Sequence, residues 1–246
     1  MEKDTKLVCY YQEPDGQFVL GPSTATIFYG QCGEDLEVYC DFFHLRRAWY
    51  ESNKGTYIEI GASDGVKFSN TKFFEEDMGF SGMLIEPEPR MFETLKKTRP
   101  ANYLYNCAVD SSGQPVTFLV SNGPGAGWVS GIEKHMPDHH KRAWHQDTQQ
   151  IKVNTAKMSS LMKNSNLERV DIYSIDVEGG EYEVLNTTDW DIPIYVIIIE
   201  LAEGETETEK DIKCRRLLAD KGYIFHKRVG MSEIWYDETY FDKVAQ

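Results

Sequence analysis

The sequence lacks the long apolar segments and the paired cysteines that would place it in a membrane or outside the cell. Its longest apolar run, Ile194 to Ile199, is far shorter than the roughly 20 residues that a membrane-spanning helix needs. The first ten residues hold no apolar stretch of the kind found in secretory signals. The five cysteines form no C-x-x-C pair, so we expect reduced thiols in a cytoplasmic protein.

Positive charge is also scarce, with 26 lysines and arginines against 40 acidic residues and a net charge of −14. An acidic surface repels phosphate backbones and anionic lipids, so we expect no nucleic-acid partner and no membrane partner. The sequence shows no repeats, low-complexity tracts or linkers either. A chain of 246 residues with 41% hydrophobic content is therefore expected to form one domain with its own core.

The stretch that organises the rest of the chain runs from Thr56 to Gly65. A β-rich run, Thr56 to Ile60, leads into the loop GASDG at residues 61–65, and Glu86 follows 21 residues later at the end of a second apolar run. Glycines let such a loop turn sharply and approach a ligand, and the N–H groups of the next helix can face an anionic part of it. An acidic residue about 20 residues on is placed to bind ribose hydroxyls. The pattern predicts a site for an adenosine-type cofactor.

The third glycine of the dinucleotide fingerprint G-x-G-x-x-G is missing from this loop. Asp64 stands before the second glycine, where its carboxylate would repel a pyrophosphate. The same carboxylate suits the ammonium and sulfonium charges of S-adenosylmethionine. The loop therefore favours S-adenosylmethionine over NAD, and an NAD-dependent oxidoreductase becomes the weaker interpretation.

Six pieces of the sequence carry a resemblance to a known family: Gly30–Asp35, Tyr57–Gly65, Ser69–Thr71, Gly79–Pro89, Asn106–Val109 and Ser174–Leu185. In order and spacing they resemble the FkbM family of S-adenosylmethionine-dependent methyltransferases. The resemblance covers roughly residues 27–201 and does not identify the methyl acceptor.

The resemblance implies a cofactor site built from these pieces. Glu86 is expected to hold the ribose, and the adenine to lie beside Cys107 and Ala108. The ammonium end is expected to face Asp64 or Glu59. Gln31 or Asp35 is expected near the methionine portion. The remaining expected contacts are Gly61, Ala62, Ser63 and Gly65 of the loop, and Asn70.

The alternation of strand and helix patterns predicts an α/β fold with a single doubly wound, mostly parallel sheet, and the resemblance implies that it is a Rossmann-like class I methyltransferase domain. An antiparallel hairpin closes the chain at the sheet edge. We expect an N-terminal arm at residues 1–26 and the domain at 27–246. The expected strands are 56–60, 82–86, 103–109, 114–120, 151–157, 170–176, 194–201, 223–228 and 233–236, and the first expected helix spans 31–50.

Residues 121–150 interrupt this rhythm with a glycine-rich start and four of the six histidines, at 135, 139, 140 and 145. Insertions of this length are usually lids or binding loops, so we expect a lid over the acceptor; an ordered surface loop is the alternative. Trp128 and Trp144 could stack on an acceptor ring. No cysteine accompanies the histidines, which argues against zinc. We expect exposed histidines, or His140 as a general base.

Carboxylates follow several of the predicted strands, and Asp176 and Glu200 do so at strands expected to be neighbours. Two roles remain open for this pair. The two could hold a divalent cation such as Mg²⁺ or Mn²⁺ that polarises a hydroxyl. They could instead bind the acceptor hydroxyl directly, one acting as general base, which is the version we favour.

Together these features predict an S-adenosylmethionine-dependent methyltransferase that methylates a hydroxyl of a saccharide or other small molecule. A binding or scaffold protein that retains the fold without catalysis is the alternative. The joint presence of Gly61, Asp64, Gly65, Glu86 and Asp176 argues against that alternative, because an empty pocket has no need of them. The oligomeric state and the acceptor stay open at this point.

Overall fold

A computed structural model describes residues 10–12, 18–20, 27–123 and 126–244. Of the arm predicted at residues 1–26, the strands Tyr10–Gln12 and Phe18–Leu20 are described and pair antiparallel, and the second also pairs with Ile27–Phe28. The rest of the predicted arm lies outside the described residues.

The described chain is built on a seven-stranded sheet. In chain order its strands are β1 Thr56–Ile60, β2 Ser81–Ile85, β3 Tyr103–Tyr105, β4 Val170–Ile175, β5 Ile194–Glu200, β6 Ile224–Val229 and β7 Ser232–Tyr236. Their spatial order is β6-β7-β5-β4-β1-β2-β3, with β7 antiparallel to both its neighbours and β1 to β5 parallel. The predicted doubly wound, mostly parallel sheet with a C-terminal hairpin is confirmed. Strand β6 of the hairpin forms one edge of the sheet, and β3 forms the other.

Helices pack on both faces of this sheet. The described helices are α1 Glu34–Val38, α2 Arg47–Ser52, α3 Lys72–Met78, α4 Pro89–Thr98, α5 Asp138–Trp144, α6 Met158–Asn164, α7 Glu181–Thr187, α8 Glu209–Asp220 and α9 Tyr240–Val244. The exception is α5, which belongs to the segment beside a second sheet. A short 3₁₀ turn, Gly204–Thr206, precedes α8. None of the described helices is long and apolar enough to cross a bilayer.

The prediction of one regular helix over residues 31–50 is wrong. Between α1 and α2 the chain forms a π-helical turn at Tyr39–Phe43 and a 3₁₀ turn at His44–Arg46. A π turn inserts a residue into the helical period. This shift lets the consecutive residues Phe42 and Phe43 both be buried, and both rings contact Tyr195 on β5.

The strand predicted at 114–120 does not pair with 103–109 or extend the main sheet. It spans Val116–Ser121 and forms a separate sheet with Thr148–Val153 and Gly131–Ile132. Its alternate side chains are buried in a small core with Ile132 and Val153. The main sheet stops at β3, and Ala108–Val109 pairs with Thr155–Ala156 instead. This second sheet stands beside the carboxyl ends of the main strands.

Candidate cofactor and acceptor site

A cavity of about 520 Å³ opens at the carboxyl ends of β1, β2, β4 and β5. The strand order reverses between β1 and β4, and open α/β sheets bind their ligands at such a switch point. The volume lies within the range of small-molecule sites. Its walls include the loop after β1, Glu86 after β2, Asp176 and Glu178 after β4, and Glu200 at the end of β5.

The loop after β1 forms a tight cradle. The N–H groups of Gly61 and Ala62 both donate to the Ile85 carbonyl of β2, at 3.0 and 3.1 Å. Gly61 has φ +82°, and a Cβ there would lie 1.9 Å from the Asp176 carbonyl oxygen. A side chain is therefore excluded at this position both by conformation and by space.

Glu86 faces the same cavity and is buried. Its carboxylate accepts hydrogen bonds from the backbone N–H groups of Ser63 at 2.8 Å and Glu88 at 2.7 Å. Burial raises the pKa of Glu86 to about 8, although these two hydrogen bonds favour the ionised form. Each carboxylate oxygen has further acceptor capacity, so the group fits the role of binding the two hydroxyls of a ribose.

Glu59 borders the cavity, but its carboxylate is occupied by neighbouring residues. It accepts hydrogen bonds from the hydroxyls of Ser69 and Thr71 and from the Asn70 N–H. The guanidinium of Arg99 lies 3.9 Å away, fully buried. Glu59 therefore fixes the chain at 69–71 against β1.

Three carboxylates gather at the opposite end of the cavity. Asp176, Glu178 and Glu200 each place an oxygen within 4.8 Å of the others. Asp176 hydrogen-bonds Glu200, and burial raises the pKa of all three groups. Repulsion from Glu200 raises the pKa of Asp176 and Glu178 further, whereas for Glu200 the added repulsion comes from Glu181 and Glu34. Glu178 adopts a left-handed conformation with φ +55°, which is rare for a residue with a side chain.

A small chamber of about 20 Å³ adjoins this cluster, with Glu34, Asn70, Asp176 and Glu200 on its wall. Oδ1 of Asn70 and Oδ1 of Asp176 are buried without hydrogen-bond partners. The oxygen-rich donor set suits a hard divalent cation. It equally suits the hydroxyl or ammonium hydrogens of a bound acceptor, because carboxylate and amide oxygens accept both.

A segment at residues 126–145, called the covering segment below, closes the cavity from the side of the second sheet. The Ser63 hydroxyl donates to the Gly127 carbonyl at 2.9 Å. The Lys67 ammonium lies 4.5 Å from the ring centroid of Trp128, within reach of a cation–π contact. The covering segment is thereby joined directly to the loop after β1.

The four histidines of the covering segment have different surroundings. His140 lines the cavity, whereas His135 hydrogen-bonds Asp110 at 2.9 Å and His139 is exposed. His145 contacts the Val129 carbonyl and the Thr148 hydroxyl. The group found among the described residues that could hold a metal ion consists of carboxylates.

Comparison with known proteins decides the family. A family model described as the methyltransferase FkbM domain matches residues 59–225, which is more than half of the chain. The chain belongs to the FkbM methyltransferase family. No curated protein matches the sequence.

Several solved structures resemble this FkbM domain. An FkbM methyltransferase from Methylobacillus flagellatus KT is 11% identical with a TM-score of 0.43, over 82% of this chain and 52% of that one. Aeropyrum pernix fibrillarin with bound S-adenosyl-L-methionine is 12% identical with a TM-score of 0.43, over 93% and 97%. A putative caffeoyl-CoA O-methyltransferase from Staphylococcus aureus is 10% identical with a TM-score of 0.42, over 78% and 80%. This chain thus spans about half the length of the first.

The FkbM domain brings most of the expected cofactor residues to one cavity. The wall includes Gln31, Glu59, Gly61, Ala62, Ser63, Glu86 and Ala108, together with the expected catalytic residues His140, Asp176 and Glu200. Asn70 lies on the adjoining small chamber.

The other expected residues stand behind this wall. Asp64 accepts hydrogen bonds from the N–H groups of Val66 and Lys67, so it closes the turn of the loop. At Gly65 a Cβ would lie 2.5 Å from Leu95 of α4. Asp35 is buried and accepts from the Tyr29 N–H, and burial raises its pKa to about 7. Cys107 is buried, which raises the pKa of its thiol to about 11.

Two residues that matter for the site were absent from the expected set. Arg99, fully buried, donates to the Gly65 carbonyl and to Glu75 and so supports the cradle from behind. Glu178 completes the carboxylate cluster. The signal for Glu178 was its position before a glycine pair at the end of a buried strand, where only a tight turn can follow.

Proposed function

We propose that this FkbM domain transfers a methyl group from S-adenosylmethionine to a hydroxyl of a saccharide or other small molecule. The observation that carries the proposal is the division of the cavity into two ends. One end offers the cradle and Glu86, which suit an adenosine. The other end offers three carboxylates beside aromatic side chains, which suit a polyol.

S-adenosylmethionine, when bound, supplies a methyl group on a sulfonium, whose carbon an oxygen nucleophile attacks in line with the C–S bond. Glu86 would hold the ribose hydroxyls, and the backbone of Gly61 to Ser63 would follow the cofactor. Asp176 and Glu200 would bind the acceptor hydroxyl and orient its oxygen. Orientation of this kind contributes to catalysis by removing the entropy cost of alignment.

Aromatic side chains supply the second support for a saccharide acceptor. Trp128 and Trp144 line the cavity together with Phe68. Aromatic rings pack well against the apolar faces of sugars, while the sugar hydroxyls turn toward polar groups. Phe68 also lines the small chamber beside the carboxylate cluster, and its ring lies 6.0 Å from that of Trp128.

Ligand binding tests the cofactor half of this proposal. S-adenosylhomocysteine at about 100 times its Kd should stabilise the protein by about 2.7 kcal/mol in thermal unfolding, and NAD at the same concentration should not. Stabilisation by NAD alone would favour the oxidoreductase interpretation. Absence of any shift would favour a fold retained without cofactor binding.

Methyl transfer tests the acceptor half. Methyl-labelled S-adenosylmethionine is incubated with a panel of methyl glycosides, their 2-amino-2-deoxy counterparts and simple phenols, and the products are located by mass spectrometry. We expect label on an oxygen of at least one glycoside. Label on nitrogen only, or turnover of the phenols alone, would contradict the saccharide hydroxyl as the acceptor class.

A further inference from the structure

A direct contact joins the covering segment to the carboxylate cluster. Nδ1 of His140, on α5, lies 3.3 Å from Oε2 of Glu178. Nε2 of the same ring lies 3.2 Å from the Val129 carbonyl oxygen. A carbonyl only accepts hydrogen bonds, so Nε2 carries a hydrogen. Nδ1 faces Glu178, as a donor to its carboxylate when the imidazole is protonated and as an acceptor from its carboxyl when the imidazole is neutral.

The backbone around Glu178 is built to hold this contact. Glu178 has φ +55°, a left-handed conformation that is strained for a non-glycine residue. Gly179 follows with φ +113°, and a Cβ there would lie 2.5 Å from the His135 carbonyl oxygen. A Cβ on Gly131 would lie 3.0 Å from the Cβ of Glu178. The turn after β4 and the covering segment therefore pack against each other without room for side chains between them.

Glu178 also differs from the other two carboxylates in its partners. Asp176 and Glu200 hydrogen-bond each other. The Lys210 ammonium, which acts on Glu178 over a longer range, is bonded to Glu181 at 2.5 Å and to Asp211 at 2.9 Å. The His140 imidazole is the ring in contact with Glu178, and its side chain is 14% exposed.

We propose that Glu178 takes the proton from the acceptor hydroxyl and that His140 is the positioning residue that directs its carboxyl into the cavity. This inference rests on the proposed function. In the step, the acceptor O–H bond breaks and an O–C bond forms, while the C–S bond breaks with its electron pair going to sulfur. Glu178 in its ionised form accepts this proton on a carboxylate oxygen and releases it to solvent after the methylated product has left. Asp176 and Glu200 orient the hydroxyl.

Two substitutions at one position separate the two contacts of His140. His140→Gln places an amide where Nε2 was and can keep the hydrogen bond to the Val129 carbonyl, but it loses the group facing Glu178. His140→Asn places an amide where Nδ1 was and can keep the contact with Glu178, but it loses the hydrogen bond to Val129. His139→Gln, at the exposed neighbour, is the matched control.

Single-turnover methyl transfer to a glycoside that the wild-type enzyme accepts measures the effect. We expect Glu178→Gln to lose about 100-fold or more in rate, in the range of general base catalysis. His140→Gln should lose more than His140→Asn, with the acceptor KM and the S-adenosylhomocysteine affinity near wild type. A Glu178→Gln enzyme at wild-type rate overturns the inference. A His140→Asn variant with a lower methyl-transfer rate than His140→Gln also overturns it, because the hydrogen bond to Val129 would then matter more than the contact with Glu178.

An acceptor-free measurement tests the contact itself. In ¹⁵N-histidine-labelled protein saturated with S-adenosylhomocysteine, the Nδ1 resonance of His140 should move in Glu178→Gln and stay in place in His139→Gln. An unmoved resonance overturns the positioning role. If the wild-type enzyme methylates no hydroxyl, the proposed function fails before any variant is made; an active wild type with an equally active Glu178→Gln defeats this inference alone.

Discussion

The carboxylate of Glu86 accepts a hydrogen bond of 2.8 Å from the backbone N–H of Ser63. The residue expected to bind the ribose therefore also fixes the loop that carries Gly61. Ser63 in turn donates through its hydroxyl to the Gly127 carbonyl of the covering segment. The end of β2, the cradle after β1 and the cover of the cavity are thus connected through two adjacent hydrogen bonds.

Glu86→Gln should weaken S-adenosylhomocysteine binding while the fold remains. The amide replaces one acceptor oxygen with a donor, so it cannot accept hydrogen bonds from the loop and from both ribose hydroxyls, and a buried polar group left unpaired costs about 1–3 kcal/mol. Titration calorimetry should therefore show a loss of about 10-fold to 100-fold in affinity. An unchanged Kd would remove Glu86 from the cofactor site.

Asp176→Asn should abolish methyl transfer with little change in S-adenosylhomocysteine affinity, because Asp176 lies in the carboxylate cluster at the opposite end from Glu86. A variant that turns over at the wild-type rate would contradict this role. EDTA treatment of the wild-type enzyme separates the two versions of the site. Activity lost with EDTA and restored by Mg²⁺ or Mn²⁺ supports a cation, and unchanged activity supports direct binding of the hydroxyl.

Gly61→Ala should destabilise the protein and impair cofactor binding. The new methyl group would lie 1.9 Å from the Asp176 carbonyl oxygen and would force β1 away from the turn after β4. Gly113→Ala is the matched control, since Gly113 has φ +64° with nothing within 4 Å of its Cβ position. The control should cost about 1 kcal/mol from conformation alone, and chemical unfolding should show a clearly larger loss for Gly61→Ala. Equal losses would mean that the clash is relieved without cost.

The pH dependence of stability should reflect Glu86. Its folded pKa of about 8 lies above the ordinary value of 4.5, so between these values the folded state binds a proton that the unfolded state has lost. The free energy of unfolding should therefore fall as pH rises through this window. The full shift corresponds to a loss on the order of 3–5 kcal/mol. In Glu86→Gln the decline measured without ligand should be shallower, and parallel curves for the two proteins would contradict the assignment.

Hydrogen exchange in the covering segment should slow when S-adenosylhomocysteine and a glycoside acceptor are both bound. Closure would exclude water and order the amides around Trp128 and Trp144. Ser63→Ala, which removes the hydroxyl bonded to the Gly127 carbonyl, should raise exchange in the free protein. Equal protection in the free and fully liganded states would favour an ordered surface segment without a role as a lid.

The main sheet and the cradle could be predicted because local patterns specify them. The alternation of apolar strands with amphipathic helices determines a doubly wound order, and the two glycines with Glu86 mark the cofactor end. Pairings between segments distant in the sequence were harder to predict. Strand Val116–Ser121 has the same alternation whichever sheet it joins, and only its partner Thr148–Val153, beyond the covering segment, shows that it leaves the main sheet.

The roles of individual carboxylates were harder still to predict. Glu59 and Glu86 both end or follow apolar strands, yet Glu59 is occupied by Ser69, Asn70 and Thr71, while Glu86 faces the cavity. Asp64 stands in the motif but closes a turn. Side-chain direction in such loops depends on the hydrogen bonds of residues far away in sequence, such as those of Arg99.

The pairing of Ser121 with Thr148 holds the two ends of the intervening chain side by side. The length of a loop with fixed ends enters its closure cost only logarithmically, at about 0.6 kcal/mol per doubling. Insertions between these two residues would therefore be inexpensive and would leave the main sheet untouched. The covering segment is thus an exchangeable part of the cavity wall, whereas the loop after β1 and the carboxylate cluster belong to the main sheet and keep their geometry.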